Sequence, residues 1–98
     1  MKVRVANFRP FERNTLQGFV DVTLVDIGLV LHDCTLHAKG EKRWVGMPGK
    51  PWVDGDGKAR RDEHGKIIYS ASVSWFNHGQ ASAFSAAVVD ALSEKVAA

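Results

Sequence analysis

Apolar and polar residues alternate along much of this chain with a period of two, which is typical of half-buried β-strands. The alternating runs predict strands over about residues 1–8, 17–25, 29–38, 43–47 and 67–76. In the second run Val20, Val22 and Leu24 share one side, which we expect to face the core. Arg9-Pro10 is expected to end the first strand, because proline cannot continue a β-ladder.

The spacing changes from two to about 3.6 after the last predicted strand. Asn77 can cap the start of a helix, and Gln80, three residues later, fits a capping box. Apolar residues then recur on one side of a helix: Phe84, Val88, Ala91, Leu92 and Val96. The pattern predicts a helix over about residues 78–96 with one apolar stripe.

A series of strands followed by one helix predicts an α+β fold, an antiparallel meander of four to five strands with the C-terminal helix packed on one face. We expect one domain over residues 1–98, with no internal repeat. Residues 48–66 follow neither period, and four glycines and two prolines interrupt them, so they are predicted to be a long polar loop. The other face of the sheet stays uncovered and carries Phe19, His37 and Trp44.

Four potential metal ligands lie close together in the third predicted strand, namely His32, Asp33, Cys34 and His37. Strict alternation turns His32 and Cys34 toward the core and the other two outward, so at most two can converge. A zinc site needs three or four ligands. We therefore predict no metal site, and expect His32 and Cys34 to be structural.

Catalytic signatures are missing from the sequence. A cysteine hydrolase needs an exposed thiol beside a base, whereas Cys34 is expected to be buried. Gly46-Met47-Pro48-Gly49-Lys50 has too few residues between its glycines for a phosphate loop, and Pro51 follows the lysine. The prediction is a protein that is not an enzyme, with no catalytic residues and no cofactor.

Charge is concentrated in the middle of the chain. The formal net charge is +2, but residues 39–66 contain eight basic and five acidic residues.

No apolar run approaches the roughly 20 residues of a membrane span, so we expect no membrane association. A single cysteine, Cys34, suits a reducing compartment, and a cytoplasmic location is expected.

Cations interleaved with tryptophans favour a nucleic-acid partner, because cations contact phosphates and aromatic rings stack on bases. The candidate binding residues are Lys2, Arg4, Lys42, Arg43, Trp44, Lys50, Trp52, Arg60 and Arg61. Two alternatives remain open. The loop charges can be simply solvated, and the tryptophans can be core or dimer-interface residues, in which case the chain is a protein-interaction or self-association module.

Three segments between residues 17 and 62 have a recognisable order and spacing. They read Gly-Phe-Val-Asp-Val-Thr-Leu from Gly18, Leu-Val-Leu-His-Asp from Leu29, and Trp-Val-Gly-Met-Pro-Gly-Lys from Trp44. Asp54-Gly55 and Arg61-Asp62 follow. These residues resemble the stage V sporulation protein G family of small bacterial regulators, which has a Phe-Val-Ala-Met-Pro-Ser-Lys type run in place of the third segment.

The resemblance implies a small sheet-plus-helix fold, a homodimer formed through strand edges, and binding of DNA or RNA in gene regulation. The family uses basic residues near the C-terminal helix, where this chain offers only Lys95. The strand order is also similar to that of the single-strand-binding coactivator and Whirly class, which binds unpaired strands on an open sheet face. Fold alone does not determine function.

Overall fold

The fold is α+β, as predicted. A computed structural model describes residues 1–97, with side chains for residues 1–93. The elements in chain order are β1 (Val3–Arg13), β2 (Leu16–Leu24), β3 (Leu29–Lys39), β4 (Lys42–Gly46), β5 (Gly49–Pro51), β6 (Tyr69–Ala71) and α1 (His78–Ala97). β1 to β4 form one antiparallel sheet in the order β1-β2-β3-β4, and β5 and β6 pair separately as a two-stranded ribbon.

α1 covers one face of the four-stranded sheet. Phe84, Val88 and Leu92 are buried against an apolar layer from β2, β3 and β4. That layer contains Val20, Val22, Leu24, Leu31, Cys34 and Val45. The predicted valine face and helical stripe are therefore confirmed, while the side chains of Lys95 and Val96 lie outside the described residues. No helix in the part of the chain that the structure describes is long and apolar enough to cross a membrane.

The start of α1 has the expected cap. Asn77 Oδ1 accepts a hydrogen bond from the Gln80 backbone N–H at 2.9 Å, which satisfies one of the free amides of the first turn. The strand predicted over residues 67–76 is shorter in the structure, since Tyr69–Ala71 pair with β5 and Ile67 forms only an isolated bridge with Arg61. Trp75 instead packs on Phe84 with 5.2 Å between the ring centroids, so the chain must leave the ribbon to reach the core.

β1 is longer than predicted. It continues through Arg9 and Pro10 to Arg13, and Pro10 pairs with Gly18 of β2. Proline is tolerated here because β1 is an edge strand that pairs on one side only. Register shifts lie between Ala6 and Arg9 and between Pro10 and Arg13.

Two bulges change which residues face the core. Asn7 in β1 and Asp33 in β3 have positive φ angles of 55° and 62°, a conformation that Asn and Asp tolerate better than most residues. In β3, Leu31 pairs with Val22 and Cys34 with Val20, so two residues lie opposite Asp21. The inserted residue reverses the alternation. His32 therefore does not share the buried face of Cys34, as strict alternation predicts, but is exposed.

Residues 48–71 form an arm, of which residues 48–66 were predicted to be a long polar loop. It begins and ends with the β5–β6 ribbon and contains two successive hairpins, marked by the bridges Val53↔Ala59 and Arg61↔Ile67. The arm is therefore held by backbone pairing rather than by an apolar core.

The two hairpin turns repeat the pattern Asp-x-x-Gly-Lys at an interval of eight residues, although no internal repeat was predicted. Each aspartate carboxylate accepts backbone N–H groups two and four residues ahead, Asp54 at 2.9 and 3.2 Å and Asp62 at 2.8 and 3.0 Å. Gly57 and Gly65 have φ angles of 78° and 79°, which few residues besides glycine adopt readily. The two turns thus share one set of hydrogen bonds.

Candidate nucleic-acid interface

All nine residues predicted to bind nucleic acid are exposed. They do not form one patch, because the topology separates them into three groups. Lys2 directly precedes β1 and Arg4 lies near its start. Lys42, Arg43 and Trp44 lie on β4, and the other four lie on the arm.

Lys2 and Arg4 lie far from the rest. β1 and β4 are opposite edges of the sheet, three strand spacings or about 14 Å apart. The two groups also lie at opposite ends of β3. Arg4 is level with Val30, near the start of β3, through their shared partner Thr23. Lys42 pairs with Lys39, at the end of β3. The two groups therefore lie at diagonal corners of the sheet.

Trp44 is the centre of the second group. Its ring stacks on the His37 imidazole with 5.4 Å between centroids and 7° between planes, and the residue remains 37% exposed. Strand alternation places Lys42 on the same side of β4 as Trp44, and turns Arg43 to the opposite side with Val45. The open face, which we define as the sheet face away from α1, thus combines a supported indole ring with one neighbouring cation.

His37 is held on the open face by two hydroxyl groups. Its Nδ1 lies 3.0 Å from Thr15 Oγ1 and its Nε2 lies 2.9 Å from Thr35 Oγ1. Burial lowers the pKa of His37 below its ordinary value, which favours the neutral ring. A Cβ at Gly46 would collide with Thr35 Oγ1, so glycine at this position leaves room for the hydroxyl that orients His37.

The third group is on the arm. Trp52 is 49% exposed, and the Arg60 guanidinium lies 4.6 Å from its ring centroid, a cation–π contact. Lys50 pairs with Ser70, so alternation turns it to the same side of the ribbon as Trp52 and away from Tyr69. Arg61 Nη1 donates to Gly65 O at 2.8 Å and so serves its own turn.

A cleft of about 580 Å³ lies on the open face, where the base of the arm approaches β2 and β3. Its walls include side chains from both the sheet and the arm. The lining residues are Arg9, Leu16, Phe19, Asp33, Thr35, His37, Met47, Gly49 and Tyr69. His37 is shared between this cleft and the Trp44 stack, which makes the two parts of the open face continuous.

A polar cluster beside the cleft was not predicted from the sequence. Asp21 is the buried charge at its centre, and its carboxylate accepts from Asn7 Nδ2 at 3.0 Å and from the Asp33 backbone N–H at 3.1 Å. Arg9 Nη2 bridges Asp21 at 3.3 Å and Asp33 at 2.6 Å. The signal that could have identified the cluster is the presence of Asn and Asp within alternating strands, where both are normally depleted.

These contacts also determine protonation. The Asn7 amide and the Asp33 N–H, together with Arg9 and His32, hold the pKa of the Asp21 carboxyl well below its usual range. Asp21 therefore stays ionised and ties the two bulges of β1 and β3 together. It is a structural anchor for the side chains that line the cleft.

The cysteine and histidines of β3 do not converge. Cys34 is buried, and burial together with the charges of Asp21 and Asp33 raises the pKa of its thiol to about 11. His32 lies on the other side with Nδ1 3.4 Å from Asp21 Oδ2. Among the described residues, no three His, Cys, Asp or Glu side chains are grouped so that they could hold a metal ion.

The molecule is a small α+β protein with an open, partly aromatic sheet face and an arm in which charges of both signs alternate. The chain matches no protein-family model, no curated protein and no solved structure. The site must therefore be interpreted from its own geometry.

Proposed function

We propose that this chain is a non-enzymatic nucleic-acid-binding protein, which takes single-stranded DNA or RNA on its open face and arm and acts in gene regulation. The observation that carries the proposal is that two exposed tryptophans are each held by a neighbouring side chain and accompanied by cations. Trp44 stacks on His37 beside Lys42, and Trp52 lies under Arg60. A ring that is already held in place loses little conformational freedom when a base stacks on it.

The charge distribution supports the same proposal. Lys42, Lys50 and Arg60 are exposed, and no ion pair to a carboxylate in the described residues neutralises them. Exposed cations that no carboxylate neutralises can bind phosphates, and they release counterions when they do so. The resemblance of residues 17–62 to the stage V sporulation protein G family implies the same class of partner.

The first experiment measures binding of fluorescent 16-nucleotide single-stranded DNA, single-stranded RNA and duplex DNA by anisotropy at 50 and 200 mM salt. We expect the single strands to bind more tightly than the duplex, with quenching of tryptophan fluorescence. If three cations contact phosphates, the slope of log affinity against log salt should be about −2, since each contact contributes about −0.7 on single strands. Absent binding, or binding that does not change with salt, would contradict the proposal.

A matched pair of double variants tests the location. Lys50→Ala/Arg60→Ala removes two charges from the arm, whereas Lys2→Ala/Arg4→Ala removes two charges from the diagonal corner. The arm variant should bind roughly fivefold to tenfold more weakly and with a shallower salt slope, while the corner variant should bind like the wild type. Equal losses in both would mean that binding depends on net charge alone.

A self-association or protein-docking function is the second candidate. Phe76 is 98% exposed and Val73 is exposed nearby in sequence, which is unusual for large apolar side chains. The two outer edges of the sheet are β1 and β4. On the β4 edge, the Val45 backbone N–H already donates to Ser85 Oγ of α1 at 3.2 Å, which makes β1 the better candidate edge for pairing with another chain. Light scattering after gel filtration distinguishes the cases: a homodimer that Phe76→Asp converts to a monomer, without nucleic-acid binding by either, favours this second function.

A further inference from the structure

The cleft on the open face is large enough to hold a small planar group. Its volume of about 580 Å³ is within the range of about 300–1,000 Å³ that is typical of small-molecule sites. The arm contributes one wall through Tyr69 and Gly49, and the sheet contributes the floor through Thr35 and His37. The cleft therefore lies between the arm and the sheet.

Two aromatic rings offer flat apolar surfaces at the cleft. Phe19 rises from β2 and also packs on Phe11, with 6.1 Å between their ring centroids. Tyr69 rises from β6 and is 64% exposed, so most of its ring surface is free. Flat rings of this kind favour a planar ligand, because stacking buries apolar surface on its faces.

The polar groups of the cleft are pre-organised. Asp33 is positioned by its bulge and by its backbone bond to Asp21, and its Oδ1 accepts from Arg9 Nη2. In the described part of the chain, Asp33 Oδ2 and Arg9 Nε have no hydrogen-bond partner. One side of the cleft therefore presents an acceptor and a donor next to each other, which suits the edge of a ring that carries both kinds of group.

We propose that this cleft holds one unpaired nucleobase of the bound strand, with its face on Tyr69 and Phe19 and its edge at Arg9 and Asp33. The inference rests on the proposed function and names the group that the open face recognises. A base in a duplex has its edge paired and its faces stacked, so only an unpaired base can enter. The neighbouring bases can then reach Trp44, because His37 borders both the cleft and the tryptophan stack.

The test compares a base-bearing 16-nucleotide strand with an abasic strand of the same length and charge. Wild-type protein should bind the base-bearing strand at least tenfold more tightly. Tyr69→Ala should reduce this preference at least fivefold with an unchanged salt slope, whereas Phe76→Ala, which removes an exposed aromatic ring outside the cleft, should retain it. Circular dichroism shows whether each variant is folded.

Asp33→Asn provides a second variant that avoids loss of the fold, since asparagine also tolerates positive φ. It removes one of the two carboxylate charges that hold Arg9, and should likewise reduce the preference for the base-bearing strand. If neither strand binds to the wild type, the proposed function itself is wrong. If the wild type prefers the base-bearing strand, but Tyr69→Ala and Asp33→Asn leave that preference unchanged, the function stands and the base pocket is wrong.

Discussion

The two faces of the four-stranded sheet are built from alternate residues of the same strands, and they solve different physical problems. The face under α1 is an apolar layer in which Val20, Val22 and Phe84 are almost completely buried. The open face instead contains an ionised carboxylate, Asp21, and an imidazole, His37, each held by hydrogen bonds. Burial of apolar area stabilises the first, and satisfied polar contacts shape the second.

This contrast predicts that the two faces can be damaged separately. Substitutions under α1 should lower the free energy of unfolding and leave the binding surface of the remaining folded protein intact. Substitutions on the open face should change binding or pH dependence and have much smaller effects on stability. The four predictions below test this separation, from the largest expected effect to the smallest.

Phe84→Ala should have the largest effect. Phe84 is 1% exposed and packs on Trp75, so its removal leaves a cavity between α1 and the sheet. Such substitutions cost about 3–5 kcal/mol, which is a large part of the roughly 5–15 kcal/mol that stabilises a typical domain. Urea denaturation followed by circular dichroism measures the loss. Phe76→Ala, at an exposed phenylalanine, is the matched control and should change the unfolding free energy by less than about 0.5 kcal/mol.

Trp44→Ala should have the next largest effect, on binding rather than on folding. Loss of one stacking ring should reduce single-strand affinity by roughly tenfold, since such a contact is worth about 1–3 kcal/mol. Trp44→Phe keeps a ring above His37 and should restore most of the affinity. Anisotropy titration measures the binding, and urea denaturation of the same variants should show little change. A Trp44→Ala variant that binds normally would remove Trp44 from the interface.

The covered face was the more predictable of the two, for a physical reason. Its residues follow the periods of two and 3.6 because they share one apolar environment, so Val20, Val22 and Phe84 are recognisable from spacing alone. The open face depends on two bulges at Asn7 and Asp33, each of which adds one residue and reverses the alternation. No apolar pattern marks a bulge, and this is why the exposure of His32 was predicted wrongly.

The arm was also poorly predicted, because local turn chemistry holds it. The carboxylates of Asp54 and Asp62 accept from backbone N–H groups two and four residues ahead, and neither turn requires buried apolar residues. Conversely, the alternation over residues 72–76 looks like a strand, although the described structure has no strand over these residues. The composition of the candidate site could be predicted as basic and aromatic, whereas its division into groups required the strand order β1-β2-β3-β4.

Asp21→Asn should change the response to acid. The native carboxylate has a pKa well below that of the unfolded chain, so the unfolded state takes up a proton first as the pH falls. Its contribution to stability is complete above the unfolded pKa of about 4 and is lost progressively below it. Thermal unfolding from pH 6 to pH 2 should therefore show a shallower decline for Asp21→Asn than for the wild type. Identical slopes would show that Asp21 does not anchor the bulges through its charge.

His37 should give the smallest and most local effect. Its native pKa is lowered by burial, so the unfolded state binds the proton more readily. The stabilisation that neutral His37 provides is present above the unfolded pKa of about 6.5 and is lost as the pH falls toward the native pKa. Because the imidazole stacks on Trp44, tryptophan emission should titrate over the same interval below pH 6.5.

His37→Asn supplies the control, since the asparagine side chain does not titrate in the interval below pH 6.5. Its tryptophan emission should remain constant from pH 7 to pH 5, while Trp44→Phe should also lose the transition because the reporting ring is gone. If the wild-type transition persists in His37→Asn, another group is responsible and the stack does not report on His37. The emission transition should disappear in both variants, while their free energies of unfolding stay close to that of the wild type. Protonation on the open face would then leave the apolar face under α1 undisturbed, as the difference between the two environments predicts.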